Sequence, residues 1–415
     1  MKEDTPELTA ASARRLALTK QHLAGALPAR PGRDDIISTV RDIAFVQWDP
    51  VAVVAPSHLI ALWARLGRYN TADVEKMLWE DRSIFLHWTP TAWLVLTEDY
   101  PLYLTLMKGY PDSLTSSWGS QRERAGKFLA SHRALRERVL KELGSGPLRL
   151  TGFGSYASTR RKGDEWSPGS DLSTMLSHLH MAGEVMVAGR EAGQNIWGLT
   201  GDFLPAWAER KVLPQAAMEK MAAERAIKAL GTATRREIHH YFIRGRYNDI
   251  GGALASLLKD GTIRKVKVEG WKGRDDIYIH CDDLPLHAII ESGAWKPRMS
   301  LLAPFDNMIC SREWTKRLFQ FEYVHEQFLP REKRRFGAFV LPVVNGDRVI
   351  GRIDPKLDIE GGILHVNSVH AEPGMADEHA APLLRETIQR FSEFLGAEEV
   401  AYTRVVPREW RRELR

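Results

Sequence analysis

An internal repeat constrains this chain more than any other feature: three helical stretches, a glycine and two strands, in that order, twice over. In the first copy a helix spans roughly Gln121 to Leu143, a turn falls at Gly144 to Gly146, and a second helical stretch follows. Ser170 or Asp171 then caps a third helix with Leu172, Met175, Leu176 and Leu179 on one face. Gly183 ends it, and VMVAG with NIWGL reads as a hairpin. In the second copy a helix begins at Met221 and stops at Gly231, and Thr234 with Glu237 forms a capping box for the next. A third helix carries Ile250, Leu254, Leu257 and Leu258 and ends at Gly261. IRKVKVEGWKGRDDIYIH follows as two strands around a glycine-containing turn. Three helices and a hairpin form the winged-helix pattern, in which the third helix docks on a groove and the hairpin reaches the neighbouring backbone.

Arg264, Lys265, Lys267, Lys272 and Arg274 make the second hairpin strongly basic, as contact with phosphates requires. The plain alternative is a solvated hairpin whose edge charges guard against aggregation. The net charge of +5 is compatible with a nucleic-acid partner without being diagnostic of one. Cys281 and Cys310 are the only cysteines, too few for a disulfide framework or a zinc site, so a reducing compartment is expected. The first fifteen residues, MKEDTPELTAASARR, lack an apolar stretch, and no apolar run reaches membrane-spanning length. These features predict a cytoplasmic, nucleoid-associated protein that needs no membrane.

Either side of the repeat the pattern changes. Residues 8 to 67 read as three helices, Leu8 to Leu23, Asp34 to Val46 and Ser57 to Leu66, the last closed by Gly67. Residues 70 to 110 read as mostly helical and rich in aromatics. From Ser300 to His370 short strand-like runs predict a small antiparallel sheet or barrel, with Asn345-Gly346 as a type I′ hairpin signal. REKRRFG, Arg331 to Gly337, places a basic cluster at its entry, with Arg334 and Arg335 as candidate DNA contacts. Ala376 to Leu395 reads as an amphipathic helix with Leu383, Leu384, Ile388, Phe391 and Leu395 inward.

Gln47 and Asp49 are the candidate chemical groups. They stand two residues apart in apolar sequence, where the helical spacing of Ile36, Ile37, Val40, Ile43 and Ala44 runs out. Pro50 pushes Asp49 toward an extended conformation, which sends residues i and i+2 to one side and Trp48 to the other. A carboxylate beside an amide suits hydrolysis of a glycosidic bond: the carboxylate activates water or stabilises an oxocarbenium-like centre, and the amide holds the water in line. An Asp–Pro turn with a glutamine capping backbone explains the same residues. No phosphate-binding glycine loop, HExxH or GxSxG is present. His178 with His180, and His239 with His240, are poorly spaced for a metal on a helix, so no metal and no cofactor is expected.

Three blocks carry a resemblance: VQWDPVAVVAPSHLIALWARLG, LLAPFDNMI with RLFQFEY, and LPREKRRFGAFVLPVVNGDRVIGRIDPKLD. Through them the chain resembles, nearly end to end, the bacterial winged-helix DNA glycosylases of the AlkZ and YcaQ (AlkX) type. The resemblance implies three tandem winged-helix units around a concave DNA channel, followed by a small β-barrel. It implies an α+β fold divided at 1–118, 119–215, 216–297 and 298–415, with the first unit's wing supplied by the resemblance alone. It also implies excision of N-alkylated purines from double-stranded DNA, interstrand crosslinks among the substrates, by a monomer with no obligate protein partner. The family's Q-x-D signature falls on Gln47-Trp48-Asp49, making Asp49 the charge that stabilises the sugar and Gln47 the group that positions water. Two departures bear on substrate range. Ala55-Pro56-Ser57-His58 stands where YcaQ-like sequences often have a basic residue and adjacent histidines, which leaves His58 and Arg65 as candidate DNA contacts. Phe85-Leu86-His87-Trp88 also differs from the family pattern. A winged-helix regulator without chemistry is the competing reading, since the same modules serve both roles; a third is a protein that binds damaged DNA without cutting it. Asp49 argues against a regulator, because phosphate repels a carboxylate on a DNA-facing surface.

Overall fold

Gly67, Gly183, Gly231 and Gly261 adopt positive φ (74°, 71°, 73° and 71°) where the sequence predicts helix ends. At Gly231 a Cβ would also press on Leu16 and the backbone of Ala17, so close packing and conformation both require glycine there. The computed structural model describes residues 5–49, 51–88, 91–115, 118–158, 171–271, 273, 275–403 and 405–415, the side chains of 155–158 excepted. Its contacts divide the chain into two units, Met1–Thr71 with Ala223–Phe242 and Ala255–Arg415, and Ala72–Ala222 with Ile243–Leu254. The expected segments 119–215 and 298–415 each fall inside one unit; 1–118 and 216–297 are divided between the two.

The first unit holds two sheets. In one, strand Ile263–Val268 pairs antiparallel with Ile277–His280, which pairs with Thr232–Thr234. Glu7–Leu8 adds a parallel strand on the other side of Ile263–Val268, closing the edge of the basic hairpin. Ile263, Val266 and Val268 point inward while Arg264, Lys265 and Lys267 are exposed. Val266 and Val268 pack with Leu8, Leu16, Ile279 and Ile290, which anchors a hairpin whose outer face is charged. Thr234 and Glu237 form the expected capping box on helix Arg235–Tyr241.

The other sheet has five strands, in the order Met299–Leu301, Leu341–Asn345, Arg348–Asp358, Ile363–Ala371 and Glu399–Tyr402. The expected barrel takes the form of an open sheet whose last strand joins in parallel. Pro355 lies inside the central strand at a register shift between Asp354 and Pro355, where a missing N–H breaks no ladder. The hairpin after Leu341–Asn345 forms one residue later than predicted: Asn345 pairs with Arg348, and Gly346-Asp347 is the loop, with positive φ at Gly346 alone, as in a type II′ turn. Helix Ala380–Leu395 buries Leu384, Ile388 and Phe391, but Leu383 is exposed, because it lies outside the i, i+4, i+7 stripe of those three.

The second unit corrects the helical reading of residues 70 to 110. Helix Ala72–Trp79 is followed by an antiparallel hairpin, Ile84–Trp88 with Ala92–Leu96. All but the two end residues are buried, so the apolar-polar alternation that would have revealed the strands is absent. The single long helix expected at Gln121 to Leu143 is two, Gly119–Ser131 and Arg133–Leu143, parted at His132. The expected hairpin is Val185–Glu191 with Gln194–Leu199, joined by Ala192-Gly193 with positive φ at both residues. Leu148–Arg149 pairs along its outer edge. Asp171 opens helix Asp171–Met181; Ser170, the alternative cap, lies outside the described residues. Among the described residues no helix is long and apolar enough to cross a membrane.

Candidate active site around Gln47 and Asp49

Helix Arg33–Ile43 ends at Ala44, a buried alanine held at φ +72°, and the chain leaves it extended through Val46–Gln47. Such a backbone is strained for a residue with a Cβ and persists where its surroundings hold it. Asn307 supplies the hold. Its side-chain amide donates to the carbonyls of Ile43 (3.1 Å) and Phe45 (2.9 Å), and the Tyr241 hydroxyl donates to Ile43 O as well (2.9 Å). The next residue upstream fixes the other flank: Asp306 takes both terminal nitrogens of Arg65, at 2.6 and 2.9 Å, from helix Ser57–Leu66. Two adjacent residues of the block LLAPFDNMI thus clamp the segments entering and leaving the Gln47–Asp49 turn.

Between the clamps the burial alternates. Val46 and Trp48 are buried, and Gln47 and Asp49 are half-buried. The Trp48 ring stacks on His58, with centroids 4.0 Å apart and planes 20° from parallel. Asp49 Oδ1 accepts from Val51 N–H (3.1 Å), and Oδ2 accepts a longer bond from Ser57 Oγ (3.4 Å). The carboxylate is therefore oriented by light bonds and keeps capacity for another partner. The loop beyond it rests on the five-stranded sheet through Leu357 N–H to Val53 O (3.5 Å).

His325 joins this neighbourhood from a distant stretch of chain. Its ring lies against Phe305, Phe328 and Phe339, and its Nε2 faces Gln327 Oε1 at 3.0 Å. Burial holds the imidazole below its ordinary pKa, opposed by the Gln327 bond and by the negative charge of Asp49. The Nδ1 atom is buried without a hydrogen-bond partner among the described residues. Sequence reading passed over His325, which sits in the gap between the RLFQFEY and LPREKRRFG blocks with no local pattern to mark it. Ser57 appeared only as part of a departure from the family pattern.

The other candidate residues separate. Arg65 has no exposed side-chain surface and is committed to Asp306, Ala61 O and Gln21 Oε1, so it is a core residue and not a DNA contact. His58 is likewise buried, stacked on Trp48 with Nδ1 3.3 Å from the Asp49 carbonyl oxygen, so little of its surface is open to DNA. Arg334 spends Nε and Nη2 on the carbonyls of Leu329 (2.9 Å) and Gln327 (3.0 Å), which makes it a staple of its own loop. Arg335 is exposed beside Phe336. Lys265 is exposed and paired with Asp276 at 2.7 Å; Lys267 is exposed. Lys272 and Arg274 lie outside the described residues. His178 bonds Tyr110 Oη (2.6 Å) and the buried His180 faces Val185 O (3.1 Å), so both are engaged in packing.

A solved structure of the Streptomyces sahachiroi DNA glycosylase AlkZ is similar to this one, with a TM-score of 0.66 over 97% of this chain and 100% of that chain. Only 15% of residues are identical, so the likeness speaks for the fold. A family model described as DNA glycosylase AlkZ-like matches residues 40–394, from the helix before Gln47 to the end of the helix that follows the central strands of the five-stranded sheet. The chain belongs to the family of AlkZ-like DNA glycosylases.

Proposed function

We propose that this protein hydrolyses the N-glycosidic bond of N-alkylated purines in duplex DNA, N7-alkylguanine and N3-alkyladenine, including those held in interstrand crosslinks. Its helix-and-hairpin segments act as winged-helix units, and the exposed Lys265 and Lys267 bind phosphate. The observation that carries the reading is the pair itself: a half-buried carboxylate with spare hydrogen-bonding capacity, two residues from a half-buried amide, just after the strained Ala44, whose flanking carbonyls Asn307 holds. Strain held rigidly at Ala44, just upstream of an accessible polar pair, fits a catalytic position better than a plain turn.

An N7-alkylguanine carries a positive charge, so the C1′–N9 bonding electrons leave with the base and neutralise it without added acid. Cationic character then grows at the sugar. Asp49 stabilises it through space, and a water held by Gln47 attacks C1′, passing its proton to Asp49 and on to solvent. A carboxylate cannot form the imine that a lyase step needs, so the product is an intact abasic site and the enzyme is monofunctional. No step requires a cofactor.

The test is base release from duplex containing 7-methylguanine, scored as alkali-labile sites. Wild type should release the base; Asp49→Asn should lower the rate by at least about 10²- to 10³-fold, the usual cost of losing a charge-stabilising group, with duplex binding unchanged. Retained activity in Asp49→Asn would remove Asp49 from the centre. Binding without release by either protein, with a sequence-specific footprint, would favour the regulator.

A further inference from the structure

Phe328 is an aromatic ring 80% exposed to solvent. Single exposed apolar side chains are ordinary, but this one is held out on a fixed backbone. Arg334 binds the carbonyls on both sides of it, at Gln327 and Leu329. The Glu326 carboxylate ties the far end of the loop, accepting from Phe336 N–H (2.8 Å) and Gly337 N–H (3.2 Å). These bonds fix the backbone from which the ring projects. The ring lies edge-on to His325 with centroids 5.6 Å apart, and His325 packs in turn against Phe305 (5.1 Å), the residue before the Asp306–Asn307 clamp of the candidate site. Val324, four residues earlier, is 50% exposed and Val51, two residues after Asp49, is 43% exposed. The loop behind the ring exposes Arg331, Lys333 and Arg335 against one carboxylate, Glu332.

An apolar tip with cations behind it matches a duplex, which offers stacked bases within a wall of phosphate. Resting on the glycosylase reading above, we propose that Phe328 stacks on a nucleobase at the lesion and holds open the base step whose sugar Asp49 reaches. It is a positioning residue: it makes no bond to the reacting atoms, and His325 is the rigid backing against which the ring bears.

The experiment pairs two readouts. In the first, kcat/KM for release of 7-methylguanine is compared among wild type, Phe328→Ala and Phe328→Trp. Loss of one base–aromatic stack should lower the value by about 5- to 150-fold in Phe328→Ala, and Phe328→Trp should restore most of it. In the second, the Asp49→Asn protein, with and without Phe328→Ala, is bound to a duplex carrying a 2′-fluoro-7-methylguanine next to 2-aminopurine. Unstacking should raise 2-aminopurine fluorescence only when Phe328 is present. Release by Phe328→Ala within twofold of wild type, or the same fluorescence rise without the ring, would overturn the proposal. So would dissociation of a wild-type oligomer on Phe328→Ala substitution, which would assign the ring to a protein contact. If wild type released no base, the glycosylase reading would fail by itself, and the fluorescence readout would still judge the wedge.

Discussion

Replacing Arg65 with methionine separates a core role from a DNA-binding one. The guanidinium and the Asp306 carboxylate have no exposed side-chain surface and meet at 2.6 and 2.9 Å. Arg65 also donates to Ala61 O at 2.7 Å and Gln21 Oε1 at 3.2 Å. Methionine retains much of the volume but leaves Asp306 as a buried charge whose carboxylate, among the described residues, keeps the bond from Met308 N–H (2.9 Å). Breaking one side of such a pair costs about 3–5 kcal/mol. In a unit near 250 residues each kcal/mol moves Tm by about 2–4 °C, so the transition should fall by roughly 6–20 °C. Pairing Arg65→Met with Asp306→Leu removes the orphaned charge, and the double variant should be more stable than the two single losses predict by addition. Thermal unfolding followed by circular dichroism measures this, with duplex affinity measured below the transition. A Tm shift under about 2 °C, together with a salt dependence of duplex binding weakened by about one phosphate contact, would refute the core assignment and return Arg65 to the DNA surface.

Two further outcomes can be checked. Reversing charge at Lys265 and Lys267 together should weaken binding to any duplex and flatten the plot of log affinity against log salt by a slope of about 2, while unfolding temperature stays nearly constant; unchanged affinity would turn the hairpin away from DNA. His180 is buried, which brings its pKa to about 4. Above pH 6.5 it contributes no pH dependence; as pH falls from there toward 4 the unfolded chain takes a proton that the folded one refuses, so stability declines by up to roughly 3 kcal/mol. Melting curves at pH 7.5 and 5.0 should therefore diverge more for wild type than for His180→Gln, and equal divergence would refute burial as the cause.

How far the sequence could be read varies from element to element. The hairpins at Val185–Glu191 with Gln194–Leu199 and at Ile263–Val268 with Ile277–His280 were legible because glycines ended the helices before them. The hairpin at Ile84–Trp88 was hidden: it is buried nearly throughout, and a short apolar run buried on both faces loses the two-residue period that distinguishes strand from helix. The two-residue separation of Gln47 and Asp49 on half-exposed positions could be expected from Pro50 and the end of the preceding helix, since both are local effects. Reading charge as exposure failed for Arg65. Nothing near it in the chain announces Asp306, which lies 241 residues away.

By itself, the sequence determined the glycine-terminated helix ends, the capping box at Thr234, the basic hairpin and the spacing of Gln47 and Asp49, because each depends on residues within a few positions of one another. Only the tertiary structure decided which charges are buried, that Asn307 and Asp306 clamp the turn, that His325 packs on Phe305 beside that clamp, and that Phe328 stays exposed. Those outcomes depend on desolvation and on partners beyond the reach of a local pattern, 241 residues apart for Arg65 and Asp306. A side chain's charge is written in the sequence, but whether water or another side chain answers it is settled only when the chain has packed.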